Sequence, residues 1–293
     1  MTAMRIAFIG SEQYAVVPRA LVAAGHEIVS VSTNSLTGLP TPLTWKAFHR
    51  ETGVAPVIGP VTRERLEAIQ ASGPGLILCL GYPRRIPVRP GDPVPAVNIH
   101  PSPLPEGRGP APIEWAILSG RTATAVTLHE MVERFDAGPI LLHRPVAISE
   151  TETSASLASR CRLVACELAV ELANRFPELW AARSAQGPAT YCRVPSRKDR
   201  TIDLRRPVEE AGRVLRAFEP GRIIIRVRGT DWVVFDAVSW PEAHPFAPGT
   251  LVSKKAGARL LAAQGGYVLV RSGLPERLAR FRLAAGRLKQ LIR

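Results

Sequence analysis

Long apolar segments and paired cysteine motifs are both missing from this chain of 293 residues. No apolar run approaches the roughly 20 residues that a membrane-spanning helix needs, and Met1 to Gly10 contains no long apolar core of a secretory signal. The four cysteines show no C-x-x-C spacing and no nearby histidine pair, which favours free thiols over a disulfide framework or a structural zinc. We therefore predict a cytoplasmic protein that needs no metal and binds no membrane.

Two signatures of nucleotide binding are also absent. The first predicted strand ends in Gly10-Ser11-Glu12, which lacks the G-x-G-x-x-G spacing that cradles a pyrophosphate, and no G-x-x-x-x-G-K-[ST] occurs in the chain. Both absences count against a simple nucleotide-binding module. Apolar residues make up 46% of the chain and charged residues 22%, a composition that is ordinary for a globular protein with room for two domains.

Positive charge is present in excess and is unevenly placed. The net charge is +13, and the region from Arg197 onward holds 20 Lys and Arg against 9 Asp and Glu, a net charge of +11. Such a region can be the footprint of a nucleic acid or another polyanion. It can equally be a solvated arginine-rich surface, because nucleic-acid binding needs charges clustered on one face and a sequence cannot show that clustering.

Strand and helix patterns alternate through the first half of the chain. Short apolar or β-branched runs at 5–9, 26–31 and 76–80 are separated by helical patterns that stop at glycines. This alternation predicts an α/β fold with an open, Rossmann-like sheet and helices on both faces.

The second half predicts a separate, smaller domain. We assign residues 1–180 to a catalytic domain and residues 181–200 to a linker marked by Gly187 and Pro195. Residues 201–293 contain several short strand patterns with turn signals between them, which predicts a small antiparallel, OB-like β-barrel. The tail from Pro275 onward has the pattern of a basic helix.

The pattern Asn98-Ile99-His100 carries the first chemical signal. Residues two apart on a strand share a face, so Asn98 and His100 should project together from the carboxyl end of a sheet strand, where open α/β sheets bind their ligands. A loop with Pro101, Pro103 and Pro105 follows, and it has little conformational freedom to lose. Taken alone, the same spacing also fits a turn asparagine and a surface histidine.

A second signal lies between two later strand patterns, in Phe135-Asp136-Ala137-Gly138. Asp136 can be a simple turn former. It can also be the carboxylate that a catalytic histidine requires, because such a partner fixes the tautomer of the ring and stabilises its charged form.

The stretch VNIHPSPLPEGRGPAPIEWAILSGRTATAVTLHEMVERFDAGPIL, residues 97–141, resembles the signature of methionyl-tRNA formyltransferases and their relatives, the 10-formyltetrahydrofolate-dependent formyltransferases. The RIAFIG start and the LGYPRRIP loop fit the same family. The resemblance implies that Asn98, His100 and Asp136 are the catalytic residues and that 10-formyltetrahydrofolate is the cosubstrate. It also implies a folate pocket formed largely by the backbone of two loops. The residues it assigns to that pocket are Gly81, Tyr82, Arg84, Arg85, Ile86, Pro87, Leu104 and Phe135.

The reaction implied by this resemblance is acyl transfer from the folate to an amine. His100 would handle the proton of the attacking amine near neutral pH, either as a base or as a cationic partner of the oxyanion. The Asn98 amide would donate a hydrogen bond to the oxyanion, and Asp136 would orient and stabilise His100. No step needs a metal.

The acceptor is predicted from one loop. Methionyl-tRNA formyltransferases carry a long basic insertion after the second strand, whereas residues 34–40 of this chain contain no Lys or Arg. That difference predicts a small-molecule acceptor, a primary amine or hydroxylamine such as an amino sugar or a modified amino acid. Methionyl-tRNA is the alternative acceptor, with tRNA as partner. A folate hydrolase and a glycinamide ribonucleotide formyltransferase share the triad, and a nucleic-acid-binding protein is the non-enzyme alternative.

Overall fold

The computed structural model describes residues 3–34 and 44–279. The loop at 35–40 and most of the predicted tail helix lie outside the described residues. Two compact units are present. The first takes in the described parts of Met1–Pro112, Ala123–Ala147 and Leu157–Arg193, and the second takes in Ile113–Thr122, Ile148–Ser156 and the described residues from Val194 onward. No described helix combines the length and the apolar character that crossing a membrane requires.

A seven-stranded sheet forms the first unit, in the order β3-β2-β1-β4-β5-β6-β7. Neighbouring strands from β3 to β5 run parallel, and β6 and β7 are antiparallel additions at one edge. This confirms the predicted α/β class with a large open sheet. The strands are β1 (Arg5–Gly10), β2 (Glu27–Thr33), β3 (Pro56–Ile58), β4 (Leu76–Leu80), β5 (Ala96–His100), β6 (Ala123–Glu130) and β7 (Ile140–Ala147).

Helices connect and follow these strands. Thr44 and Thr62 cap the second and third helices with their hydroxyls, and Gly53 ends the second in the left-handed conformation that favours glycine. The sixth helix has Pro177 in its first turn, where proline is tolerated because its missing N–H would have no partner within the helix. The helices are α1 (Val16–Ala23), α2 (Trp45–Thr52), α3 (Arg63–Ala71), α4 (Pro112–Leu118), α5 (Ser154–Asn174) and α6 (Phe176–Ala181).

Apolar runs at β1 and β4 are explained by burial on both faces, as a central parallel strand requires. On one face, Ala7 and Ile9 of β1 and Ile77 of β4 belong to a core cluster that includes Leu66 and Ile69 of α3. The other face is covered by α2. There the Phe8 ring lies 5.7 Å from the ring of Trp45, which in turn lies 5.9 Å from Phe48, between ring centroids.

The second unit contains a six-stranded sheet in the order β11-β12-β13-β10-β9-β8. The short first strand pairs parallel with its neighbour, and the remaining pairs are antiparallel. One helix, α7 (Val208–Ala217), lies against β10. These strands form a separate β-rich region, and its closure into an OB-like barrel stays a prediction. The strands are β8 (Thr201–Ile202), β9 (Ile223–Val227), β10 (Thr230–Pro241), β11 (Leu251–Lys255), β12 (Ala258–Ala263) and β13 (Gly266–Pro275).

Gly138 occupies a position where no side chain fits. A Cβ at this buried residue would lie 2.0 Å from the carbonyl oxygen of Glu130, which is part of the sheet and cannot yield cheaply. We expect Gly138→Ala to lower the free energy of unfolding by about 1–3 kcal/mol, the usual cost of overpacking, measured by chemical denaturation. Gly187→Ala is the matched control, because its Cβ meets nothing within 4 Å. Equal stability of the two variants would contradict this account.

Candidate active site

The predicted pair Asn98 and His100 lies at the carboxyl end of β5 and faces the same side of the sheet. Across the antiparallel ladder, Asn98 is opposite His129 of β6, and on the other side it is opposite Cys79 of β4. His100 is 6% exposed and His129 is 2% exposed, so both imidazoles are removed from water. The strand register therefore places two histidines and one amide within a single small region.

One nitrogen of the His100 ring is committed to the backbone. Its Nε2 lies 2.9 Å from the carbonyl oxygen of Gly107, and a carbonyl can only accept, so Nε2–H is the donor. In the neutral ring Nδ1 then carries a lone pair. Nδ1 lies 3.6 Å from Oδ1 of Asp136. A proton taken up by His100 would therefore sit next to a carboxylate.

Asp136 is held from several directions. Its Oδ2 accepts a hydrogen bond of 2.8 Å from the backbone N–H of Gly109, and its Oδ1 lies 3.6 Å from Nε2 of His129 as well as from His100. Burial by itself would raise the pKa of Asp136. The interactions with His129, His100 and Gly109 outweigh it, and the pKa lies below the ordinary value of 3.8. Asp136 is therefore charged at neutral pH.

Burial has the opposite consequence for His100. It lowers the pKa of the ring below 6.5, and this effect outweighs the negative charge of Asp136 and the hydrogen bond to Gly107, which both act to raise the pKa. The positive charge that His129 can carry adds to the lowering. His100 is consequently neutral at pH 7 and can accept a proton.

His129 is a site residue that the sequence patterns did not indicate. The Nδ1–H of His129 donates to the carbonyl oxygen of Glu130 at 2.9 Å, and in the neutral ring its Nε2 accepts from the side-chain amide of Asn98 at 3.1 Å. This contact fixes which way the Asn98 amide points. The signal that could have indicated His129 is its place on β6. This strand pairs with β5, with Thr127 opposite His100 and His129 opposite Asn98.

Cys79 lies behind the site and is chemically quiet. Burial raises the pKa of its thiol to about 12, and the charge of Asp136 adds to the effect, so the thiolate is not formed near neutral pH. The backbone of Tyr82 hydrogen-bonds this thiol. Cys79 thus connects the start of the predicted folate loop with the neighbourhood of Asp136.

The predicted folate residues divide into packed and exposed side chains. Tyr82 is buried, and its hydroxyl accepts from the Val61 N–H at 2.9 Å and donates to the Gly59 carbonyl at 3.1 Å. Phe135 is 62% exposed. Ile86 and Leu104 are also buried, and Pro87 is half-buried. Arg84 and Arg85 are exposed, and Arg85 pairs with Glu133. Gly81 has a positive φ.

Two observations suit a folate carrying a formyl group. The donor set of Asn98, His100 and Asp136 supplies a hydrogen-bond donor, a neutral base and its charged partner, which is what acyl transfer to an amine needs. Beside Gly81, the buried hydroxyl of Ser11 has no hydrogen-bond partner within the described part of the chain.

Within the described residues, no group of three or more His, Cys, Asp or Glu could hold a metal ion. The four cysteines are all free.

Comparisons with known proteins agree with this chemistry. A model of the formyl transferase family matches residues 49–172. A methionyl-tRNA formyltransferase from Methylococcus capsulatus is 33% identical over 85% of each chain. Among solved structures, the N-formyltransferase from Helicobacter canadensis, complexed with folinic acid and dTDP-3-aminofucose, gives a TM-score of 0.70 at 14% identity, over 91% of this chain and 98% of that one. HypX from Aquifex aeolicus, complexed with tetrahydrofolic acid, gives 0.64 at 22% identity, over 94% of this chain.

This chain spans less than half of HypX, 46% of its length. The fold and the site define a one-carbon transferase. The chain belongs to the 10-formyltetrahydrofolate-dependent formyltransferase family. Membership confirms the predicted family, the predicted enzyme class and the predicted cosubstrate.

The predicted small-molecule acceptor, and with it the small-molecule amine partner, is wrong. Relatives that are 30–35% identical over 74–92% of this chain are named methionyl-tRNA formyltransferases. The prediction depended on the composition of residues 34–40 alone. One short loop cannot outweigh similarity that extends over most of the chain, because a substrate of any size contacts many parts of an enzyme.

The balance of burial and charge at His100 can be measured directly. We expect an NMR titration of the His100 ring to give a midpoint below 6.5. Asp136→Asn should lower that midpoint further, because the charge of Asp136 favours the protonated ring. Glu133→Gln, at a surface ion pair with Arg85, is the control and should leave the midpoint unchanged. A midpoint that rises in Asp136→Asn would contradict the assigned geometry.

Proposed function

We propose that this protein transfers the formyl group of 10-formyltetrahydrofolate to the amine of the methionyl residue on methionyl-tRNA. The observation that carries the proposal is the similarity to methionyl-tRNA formyltransferases over 85–92% of the chain. The positively charged region from Arg197 onward supports it, because a polynucleotide acceptor favours a basic surface.

His100 acts first, as the base. A neutral amine attacks the formyl carbon, and its proton passes to Nδ1 of His100, where the carboxylate of Asp136 stabilises the resulting cation. The low proton affinity of the buried ring keeps it unprotonated before the attack. His100 can then return the proton to the departing folate nitrogen.

Asn98 acts on the formyl oxygen. Its amide nitrogen carries two hydrogens, of which one is donated to His129. The second is available to the oxygen that gains negative charge as the amine adds. Because His129 accepts the first hydrogen, the amide is oriented before the reaction begins, and no reorganisation is needed in the transition state.

The remaining assignments belong to the same proposal. Residues 1–180 are the catalytic domain, 181–200 the linker and 201–293 an OB-like domain, and the protein acts in the cytoplasm. The folate would lie along the backbone of Gly81–Pro87 and the loop before Asp136, with Leu104 and Phe135 at its sides. The buried packing of Tyr82 and Ile86 supports a backbone rather than a side-chain role for that loop.

Removal of each catalytic side chain should affect turnover while leaving the fold intact. We expect His100→Ala and Asp136→Ala to abolish most formyl transfer, and Asn98→Ala to reduce kcat about 100-fold, the effect of losing one oxyanion donor. The measurement is the rate of methionyl-tRNA formylation, with circular dichroism to check folding. His143→Ala, at an exposed histidine of β7, is the control. Near-normal turnover in the His100 or Asp136 variant would exclude the proposed roles.

The acceptor can be tested separately from the chemistry. We expect formylation of methionyl-tRNA and a tRNA affinity that falls steeply between about 50 and 200 mM salt, as phosphate contacts require. A failure to formylate methionyl-tRNA while folate is turned over with another amine would overturn the proposed acceptor. Tight tRNA binding without any formyl transfer would favour the non-enzyme alternative.

A further inference from the structure

Residues 183–193, here named the bracing segment, run along both loops that hold the catalytic side chains. At one end, Ser184 and Ile140 exchange backbone hydrogen bonds of 2.8 and 2.9 Å. At the other end, the N–H of Arg108 donates to the carbonyl of Thr190 at 3.0 Å, and the N–H of Cys192 donates to the carbonyl of Arg108 at 2.6 Å. The bracing segment therefore joins the loop before β7 to the loop after β5.

Gln186 lies between these two ends, and every hydrogen-bonding position of its amide is used. Its nitrogen donates to the carbonyl oxygens of Asp136 at 3.0 Å and Gly138 at 2.7 Å. Its oxygen accepts two hydrogen bonds from the guanidinium of Arg108, at 3.0 and 2.7 Å. The amide can be oriented in only one way here, because carbonyls cannot donate and a guanidinium cannot accept.

The backbone at Asp136, which Gln186 binds, has a conformation that needs stabilising contacts from outside its own loop. Asp136 has a φ of +53°, a left-handed conformation that is unfavourable for a non-glycine residue. The two carbonyls that Gln186 binds flank Ala137 and so fix the peptide on the carboxyl side of Asp136. With that peptide fixed, the Asp136 side chain can reach both the Gly109 N–H and the neighbourhood of His100.

Arg108, in the loop after β5, connects Gln186 to the contacts of His100. Its neighbours on either side make the other contacts of the site, since the Gly107 carbonyl accepts from His100 and the Gly109 N–H donates to Asp136. The Arg108 side chain reaches the same aspartate through Gln186. Three consecutive residues thus set the distance between the histidine and its carboxylate, two of them directly and one through Gln186.

We propose that Gln186, anchored by Arg108, is the positioning residue that holds the Asp136 carboxylate beside His100. This inference rests on the proposed function. The bracing segment, which the sequence pattern predicts to be part of a linker, thereby gains a part in the chemistry. Gln186 itself touches no reacting atom.

The test measures the proton affinity of His100 apart from turnover. In Gln186→Met, which keeps the length of the side chain and removes its hydrogen bonds, the carboxylate loses its fixed place. Asp136 and His129 are the titratable groups that face His100, and Asp136 is the one that raises its pKa. We therefore expect the NMR midpoint of His100 to fall, and the acid limb of kcat/KM to move to lower pH with it.

Turnover should show the same effect. We expect kcat to fall about 10- to 100-fold with the KM for 10-formyltetrahydrofolate within about twofold, because a displacement of about 1 Å can cost that much. Gln186→Glu keeps the contact to Arg108 but presents oxygens to the two carbonyls, so it should lose as much. Gln264→Met, at an exposed glutamine of the second unit, is the control and should match the wild type.

The double variant separates positioning from general stability. If Arg108 acts through Gln186, then Arg108→Met combined with Gln186→Met should lose no more activity than Gln186→Met alone. An unchanged His100 midpoint and kcat in a folded Gln186→Met or Gln186→Glu protein would overturn the proposal. Because the NMR titration needs no acceptor, it stays decisive if the wild type fails to formylate methionyl-tRNA, a result that would count only against the proposed function.

Discussion

The site depends on one carboxylate, that of Asp136, whose side chain is only 11% exposed. Asp136 stands 3.6 Å from each of two imidazoles and accepts a hydrogen bond from the Gly109 backbone, in surroundings that exclude most water. A charged group in such a place needs compensation on every side, because an unpaired buried charge is expensive. The loops around it and the register of β5 against β6 meet that requirement, because they bring the Gly109 N–H and both imidazoles to the carboxylate.

Two opposing effects act on His100, and their balance suits the chemistry. Burial disfavours the charged ring, whereas Asp136 favours it. If burial alone acted, the ring would be a poor proton acceptor, and if the carboxylate dominated, the ring would be protonated before the amine arrived. The intermediate position keeps a base available near neutral pH and stabilises the cation that forms when it works.

The question of the acceptor shows how local and global signals differ in weight. The absence of Lys and Arg at 34–40 was a real feature of the sequence, but it described one loop. Similarity over most of the chain covers many more positions, and the relatives that share it are named methionyl-tRNA formyltransferases. The excess of positive charge from Arg197 onward is a property of composition, and composition alone does not show whether the charges lie on one face.

The sequence by itself determined the α/β class, the runs at β1 and β4, and the shared face of Asn98 and His100, because these follow from periodicities of a single strand or helix. Tertiary structure decided the rest. Only the pairing of β6 with β5 put His129 against Asn98, and only the folding of residues 183–193 across two loops brought Gln186 to the Asp136 backbone. Contacts between distant segments depend on packing of the whole unit, which local patterns do not encode.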